Sequence, residues 1–307
     1  MPIPKLPVIF IFDLDQTLIG NRAPYFTSQT IKTLVAKACL SNKINMPKCH
    51  ISKNKHYDPK DVMRDPFILR PYLKESLLEI KKMFDGCAEF FIFTAGANNP
   101  SIDFIEIMEK MLDNIKFNRP ILTYEHLSKQ DDGVSIEKSM VLNIPECIHS
   151  LIDRYPSLKD EKNIKHVMDN RFIFMDDVNW VDKFSKDHFI QNKPYPYHPL
   201  FDMTEDIPIC IKKLPIVNNI LKNVDAVVFT EPNTNSLDER NMLYHIFMAD
   251  LYRIHTKDNN EALKDTFFKE LVVELKKIEK LKKPFAPKVI ENIRHNLVEK
   301  GVAIATS

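Results

Sequence analysis

Three short apolar runs share one pattern along the chain. Val8–Phe12 (VIFIF) leads into Asp13, Glu89–Phe93 (EFFIF) into Thr94, and Arg171–Met175 (RFIFM) into Asp176 and Asp177. Continuous β-branched and aromatic runs, without polar alternation, predict strands buried on both faces, as in a parallel sheet between helix layers. In an open α/β sheet the ligand crevice lies outside the carboxyl ends of the strands. The pattern therefore predicts that Asp13, Thr94, Asp176 and Asp177 face one crevice.

Helical periodicity fills the intervals. Leu73–Met83 carries apolar residues at Leu73, Leu77, Leu78, Ile80 and Met83, with Pro71 fitting the start of a helix just after Arg70. Ser101–Ile115 follows Pro100 with a serine at a capping position, and Ser28–Leu40 is moderately amphipathic. Two short runs flank Asp131-Asp132-Gly133 within Pro120–Met140, the pattern of a hairpin. The region Asp238–Leu297 reads as helical. Its clearest stretch is Asn259–Lys282, with Leu263, Phe267, Leu271, Leu275, Ile278 and Leu281 at steps of three and four. Residues Asn42–Arg64 have the look of a loop or small excursion.

Composition narrows the chemistry. The 307 residues include only five glycines against twenty prolines, and no two glycines are closer than ten residues. A Walker loop, a dinucleotide fingerprint, a kinase glycine loop and a G-x-S-x-G elbow each need glycines within about six residues of each other, so phosphate would be handled without a glycine-rich cradle. The net charge of +1 argues against a protein held to a polyanion by overall charge. From Asn21 to Arg64, however, nine Lys/Arg stand against Asp58 and Asp61, a local +7. The five cysteines are scattered and odd in number, and no apolar run approaches the roughly 20 residues of a membrane span. These features predict an intracellular, reducing location, nucleus or cytoplasm. Cys39, Cys49, His50 and His56 match no tight zinc-ligand spacing, and a polar insert is the plainer interpretation.

Asp13-Leu14-Asp15-Gln16-Thr17 is the strongest local feature. Alternating side-chain direction lets Asp13 and Asp15 serve one site while Leu14 packs behind them. Phosphate-ester chemistry suits such a pair: one carboxylate attacks phosphorus, and the other donates a proton to the leaving oxygen. Developing charge would need a Mg²⁺ with oxygen ligands, for which Asp176 and Asp177 are placed. Thr94 and Lys138 could hold phosphoryl oxygens. Each residue has a plain alternative. The aspartate pair could be a loop cluster, Thr94 a strand cap, Lys138 a solvated lysine, and Asp176-Asp177 the cap of a helix near Asn179. Their shared placement after three buried strands favours a site.

IFDLDQTLIG resembles motif I of the haloacid dehalogenase superfamily of phosphotransferases, D-x-D-x-T after a buried strand. ILRPYLKESLLEIKKMF followed by EFFIFTAG is similar to the phosphatases acting on the carboxy-terminal domain of RNA polymerase II and their NLI-interacting-factor-like relatives. Ile136-Glu137-Lys138-Ser139 resembles the family's lysine segment, FIFMDDVNW (Phe172–Trp180) its acidic strand end, and Leu200–Val217 its closing segment. The resemblance covers roughly Pro7 to Leu221 and departs from the pattern at Gln16 and Val178. It implies a Rossmannoid parallel sheet flanked by helices, with small hairpin or loop inserts and no large cap domain; the basic stretch at about 21–64 is longer than compact members need, and 141–170 is an extra insertion. A phosphatase domain at 1–230 would precede a helical extension at 231–307. It implies Asp13 as nucleophile and metal ligand, Asp15 as general acid/base with its carbonyl on the metal, Thr94 and Lys138 on the phosphoryl group, and Asp177 with Asp176 completing a Mg²⁺ site. Thr17 and Arg70 would be supporting residues. The substrate it implies is phosphoserine or phosphothreonine in a peptide, such as the polymerase tail. Two other functions stay open: a phosphatase on nucleic-acid ends or nucleotides, gripping polyanion through the basic insert, and a catalytically silent binding module.

Overall fold

The sheet is built around β1 (Val8–Phe12), which pairs in parallel with β2 (Ala88–Ile92) on one side and β5 (Phe172–Asp176) on the other. A further strand, β6 (Phe189–Gln191), adds in parallel to β5, giving the order β2-β1-β5-β6 among the described residues. The computed structural model describes residues 5–22, 62, 64–96, 98–129, 136–197, 213, 215 and 259–305. It shows an α/β architecture in which a four-stranded parallel sheet is flanked by helices. All five residues of β1, of β2 and of β5 are buried, as their unbroken apolar runs predict.

Alternation along β1 divides its side chains between two cores. Ile9 and Ile11 join Phe91, Phe93, Phe172 and Phe174, and are covered by Met140, Ile144, Cys147, Ile148, Leu158 and Val167. That cover comes from α3 (Met140–His149) and α4 (Glu161–Asn170), with Leu158 from the 3-10 turn Pro156–Lys159 between them, so residues 141–170, expected as an insertion, line one face of the sheet. Phe10 and Phe12 point the other way. Phe10 meets Phe84 and, edge-on at 5.2 Å, Phe285, while Phe12 meets Phe268 at 6.1 Å. Burying each such ring contributes about 1.5–3 kcal/mol.

Phe268 belongs to α6 (Phe267–Lys276), which with α7 (Pro287–Glu299) lies in the segment expected as an appended extension. By contact the chain divides into one unit of Met1–Ile19, Leu69–Tyr195 and Glu261–Ser307, and a second of Gly20–Ile68 and Pro196–Asn260. The terminal helices thus fall in the unit that contains the sheet. Within the second unit, Tyr197 donates its hydroxyl proton to the Asp65 carboxylate at 2.9 Å, and its carbonyl accepts from Asn21 N–H. Gly20 is required there, since a Cβ would lie 2.4 Å from the Tyr197 carbonyl oxygen. Cys39, Cys49, His50 and His56, the helix expected at 28–40, most of the basic stretch, the 200–217 segment and most residues bearing on a cap domain lie outside the described residues.

Helix α1 (Leu73–Met83) has the bounds its periodicity predicts. Helix α2 (Asn98–Met111) starts three residues earlier than expected, with Pro100 in the first turn, where a missing N–H leaves no intrahelical bond unmade. It stops early because Asp113 and Asn114 adopt positive φ, and the Asn114 N–H closes the end on Glu109 O. The hairpin consists of β3 (Ser128–Lys129) and β4 (Ile136–Glu137), paired antiparallel. No helix begins at Asn179; instead Asp182 caps α5 (Lys183–Lys186), accepting from Ser185 N–H at 2.7 Å. The expected continuous helix at 259–282 is interrupted: one turn at Asn259–Ala262 precedes α6, with Asp265 and Thr266 between them.

The two terminal helices meet at a buried carboxylate. Glu274 accepts from Lys277 and Asn296 at 2.7 Å each and from Lys300 at 2.8 Å, with its side chain 1% exposed. Burial alone would raise its pKa, but the donors from Lys277, Lys300 and Asn296 outweigh burial and lower it to about 2. Such a group stabilises the fold above the ordinary glutamate range and loses that contribution as pH falls through about 2. Glu274→Gln is expected to lower stability by about 2 kcal/mol at neutral pH. In urea denaturation, the gap from wild type should close as the solution is acidified below the ordinary carboxylate range. A gap that persists or widens in acid would contradict the assignment.

Candidate functional site

β1 runs directly into Asp13, and β5 ends on Asp176 as its neighbour in the sheet. The Asp13 N–H donates to Met175 O at 2.8 Å, so the ladder continues one residue past β1 and aligns the two carboxylates. Lys138 approaches from the hairpin. It follows β4, and its backbone N–H donates to Trp180 O at 2.7 Å in a bridge beside Val181. Its side chain is 2% exposed. An ammonium has three protons to donate. Lys138 Nζ places them on Asp13 Oδ1 at 2.6 Å, Asp176 Oδ2 at 2.7 Å and Phe93 O at 2.8 Å. The ends of β1, β2 and β5 are therefore tied to one nitrogen.

Among the described residues, Asp15, Asp176 and Lys138 all act electrostatically on both Asp13 and Asp177, so four carboxyl groups surround one ammonium. Burial would depress Lys138, but Asp13 and Asp176 outweigh it and raise its pKa, keeping the ammonium charged. Burial raises Asp13 well above the ordinary carboxylate range, with Asp176 and Asp15 adding repulsion against the opposing pull of Lys138. Asp177, more exposed, is pushed up to about 7 by burial and then by Asp176.

Carboxylate oxygens of Asp13, Asp176 and Asp177 lie within 4.8 Å of one another. A hard divalent cation binds oxygens at about 2.0–2.6 Å, so oxygens on opposite sides of it stand roughly 4–5 Å apart. The three-carboxylate donor set fits such a cation, without distinguishing Mg²⁺ from other hard cations.

The remaining residues take varied positions. Thr94 is 1% exposed, one residue beyond the Phe93 carbonyl that accepts from Lys138; its N–H donates to Leu122 O, and its hydroxyl accepts from Gly96 N–H at 3.1 Å. Asp15 is half-buried in the turn that follows Asp13. Thr17, fully buried, donates its hydroxyl proton to Asn192 Oδ1 at 3.3 Å. Arg70 does not reach the carboxylates; it donates to the Gln16 and Thr17 carbonyls from outside the pocket. Asp13, Lys138, Asp176 and Asp177 thus form the bonded or near-contact cluster. Thr94, Asp15 and Thr17 flank it, and Arg70 braces the loop behind.

Asn192 was not foreseen. Its side chain accepts from Thr17 while its N–H donates to Asp176 O at 3.0 Å, linking the loop after β1 to the end of β5. Its only signal in the sequence is its place after a short apolar run, which many structural asparagines share. Comparison with known proteins finds no family model that matches the chain and no matching curated protein.

Removing the ammonium from this pocket leaves buried carboxylates without their cation. Lys138→Met is expected to destabilise the metal-free protein by about 3–5 kcal/mol. A divalent cation should recover part of that loss, and should raise the melting temperature of wild type but not of Asp176→Asn. Identical melting curves with Mg²⁺ and with chelator, in all three proteins, would show that the carboxylates form no metal site.

Proposed function

We propose that the protein is a divalent-cation-dependent phosphomonoester hydrolase that works through an aspartyl-phosphate on Asp13. The observation that carries this reading is the Lys138 bridge, which sets Asp13 and Asp176 side by side at the carboxyl ends of adjacent central strands. The resemblance of the loop after β1 to D-x-D-x-T points the same way.

In this mechanism a carboxylate oxygen of Asp13 attacks phosphorus as the bond to the leaving oxygen breaks. Asp15 gives its proton to that oxygen and then, as carboxylate, takes a proton from the water that attacks the phosphoryl group. Asp13 is released with inorganic phosphate as product. Thr94 holds a phosphoryl oxygen, and Lys138 exchanges one of its present bonds for another such oxygen as negative charge builds on them. A cation held by Asp13, Asp176 and Asp177 would supply charge neutralisation for the phosphoryl oxygens. Asp177 must be ionised to contribute, and with its pKa pushed up to about 7 it is ionised only toward and above neutral pH.

The substrate proposed is phosphoserine or phosphothreonine in a peptide, with the polymerase carboxy-terminal domain as a candidate through the R-P and F-T-A resemblance. Phosphate release from such peptides with Mg²⁺ tests the reading. Asp13→Asn is expected to reduce kcat by on the order of a thousandfold or more, and robust release by that variant would sink the covalent mechanism. A phosphorylated oligonucleotide belongs in the same assay. Turnover of it alone, falling steeply with salt, would transfer the function to nucleic-acid ends. No turnover on any phosphoester would leave a binding module.

A further inference from the structure

The loop after β1 contains a conformation that few residues adopt unaided. Gln16, between Asp15 and Thr17, has φ 57°, in the left-handed region. For a residue with a Cβ this costs about 1–3 kcal/mol and persists where surrounding contacts fix it. Those contacts are explicit. Gln16 O accepts from Tyr195 N–H at 2.8 Å and from Arg70 Nη1 at 3.4 Å, and Thr17 O accepts from Arg70 Nη1 at 3.2 Å. Arg70 Nη2 also donates to Lys193 O at 2.8 Å, joining this turn to the segment after β6.

Arg70 is itself held from far along the chain. Its Nε and Nη2 donate to the two carboxylate oxygens of Asp265 at 2.9 and 2.7 Å, a fork-to-fork pair with the guanidinium side chain fully buried. The Phe267 ring lies 4.7 Å from the guanidinium carbon. Asp265 is fixed in turn, since its Oδ1 accepts from Phe267 N–H at 3.0 Å at the start of α6, and the next residue, Phe268, packs on Phe12 of β1. Asp265 lies outside every motif in the chain, in the break that interrupts the expected helix.

We infer that Asp265 is a positioning residue for the site: it orients Arg70 against the Gln16 and Thr17 carbonyls and so fixes the turn that presents Asp15 beside Asp13. The role of Asp15 in proton transfer rests on the function proposed above; the bracing of the turn does not.

The test compares Asp265→Asn with Glu274→Gln in the full chain. Glu274 is a buried carboxylate of the same segment, and its described partners lie within the terminal helices. Asp265→Asn is expected to lower kcat on a phosphopeptide by about 10–100-fold, with KM changed less than about threefold. Hydrogen exchange at the Leu18 and Ile19 amides should accelerate relative to the Phe10 and Ile11 amides in the same sample. Glu274→Gln should leave kcat and that exchange ratio at wild-type values despite its lower stability. Matching effects from the two variants would overturn the assignment, as would a wild-type kcat and exchange ratio in Asp265→Asn. If Asp265→Asn does not fold, Asp265→Glu, which keeps the charge on a longer arm, carries the same comparison and the same two outcomes. A wild-type chain without phosphatase activity sinks the proposed function, and the exchange ratio still decides the role of Asp265.

Discussion

A single buried ammonium sets the terms for the rest of this structure. Lys138 spends all three of its protons on Asp13, Asp176 and Phe93 O, and so holds the carboxyl ends of three strands at hydrogen-bond distance from one atom. Buried charge is tolerated only when paired and fully hydrogen-bonded, and this lysine meets both conditions. Among the described residues, Asp15 and Asp177 stand near it as well, so four carboxyl groups surround one ammonium, a setting that suits a hard cation.

Geometry at that point depends on a sheet that is dry on both faces. Ile9 and Ile11 face helices from the middle of the chain, and Phe10 and Phe12 face rings from its end. The terminal helices therefore complete the second core instead of decorating it. Their contribution reaches the site by a polar route as well, because the break before α6 frees Asp265 to pair with Arg70. The C-terminal strand-like segment adds another link. Lys193 N–H donates to Val302 O and Ile304 N–H to Gln191 O, bracketing Asn192, which joins Thr17 to Asp176.

What the sequence revealed follows from the range over which each feature is determined. Strands β1, β2 and β5 were legible because an unbroken apolar run needs no partner to be recognised, and α1 because its repeat is local. The aspartates and Thr94 were legible as strand-end residues. The terminal helices were expected as a separate extension because nothing in their own periodicity says that Phe268 and Phe285 face β1. The interruption at Asp265 was hidden for a similar reason. Its cause is a partner 195 residues away, and within the local repeat of Leu263, Phe267 and Leu271 a continuous helix is the simpler pattern. Asn192 and the left-handed Gln16 belong to the same class, fixed by tertiary contacts and invisible in a window of a dozen residues.

Asp13, held beside Asp176 by Lys138, is the proposed nucleophile toward phosphorus. The most direct test is to quench the protein with acid during turnover of a phosphopeptide in Mg²⁺ and map the mass of its peptides. A base-labile increment of one phosphoryl group is expected on the peptide containing Asp13, lost in Asp13→Asn. Steady phosphate release with no such adduct at any quench time, or an adduct on a different residue, would contradict it.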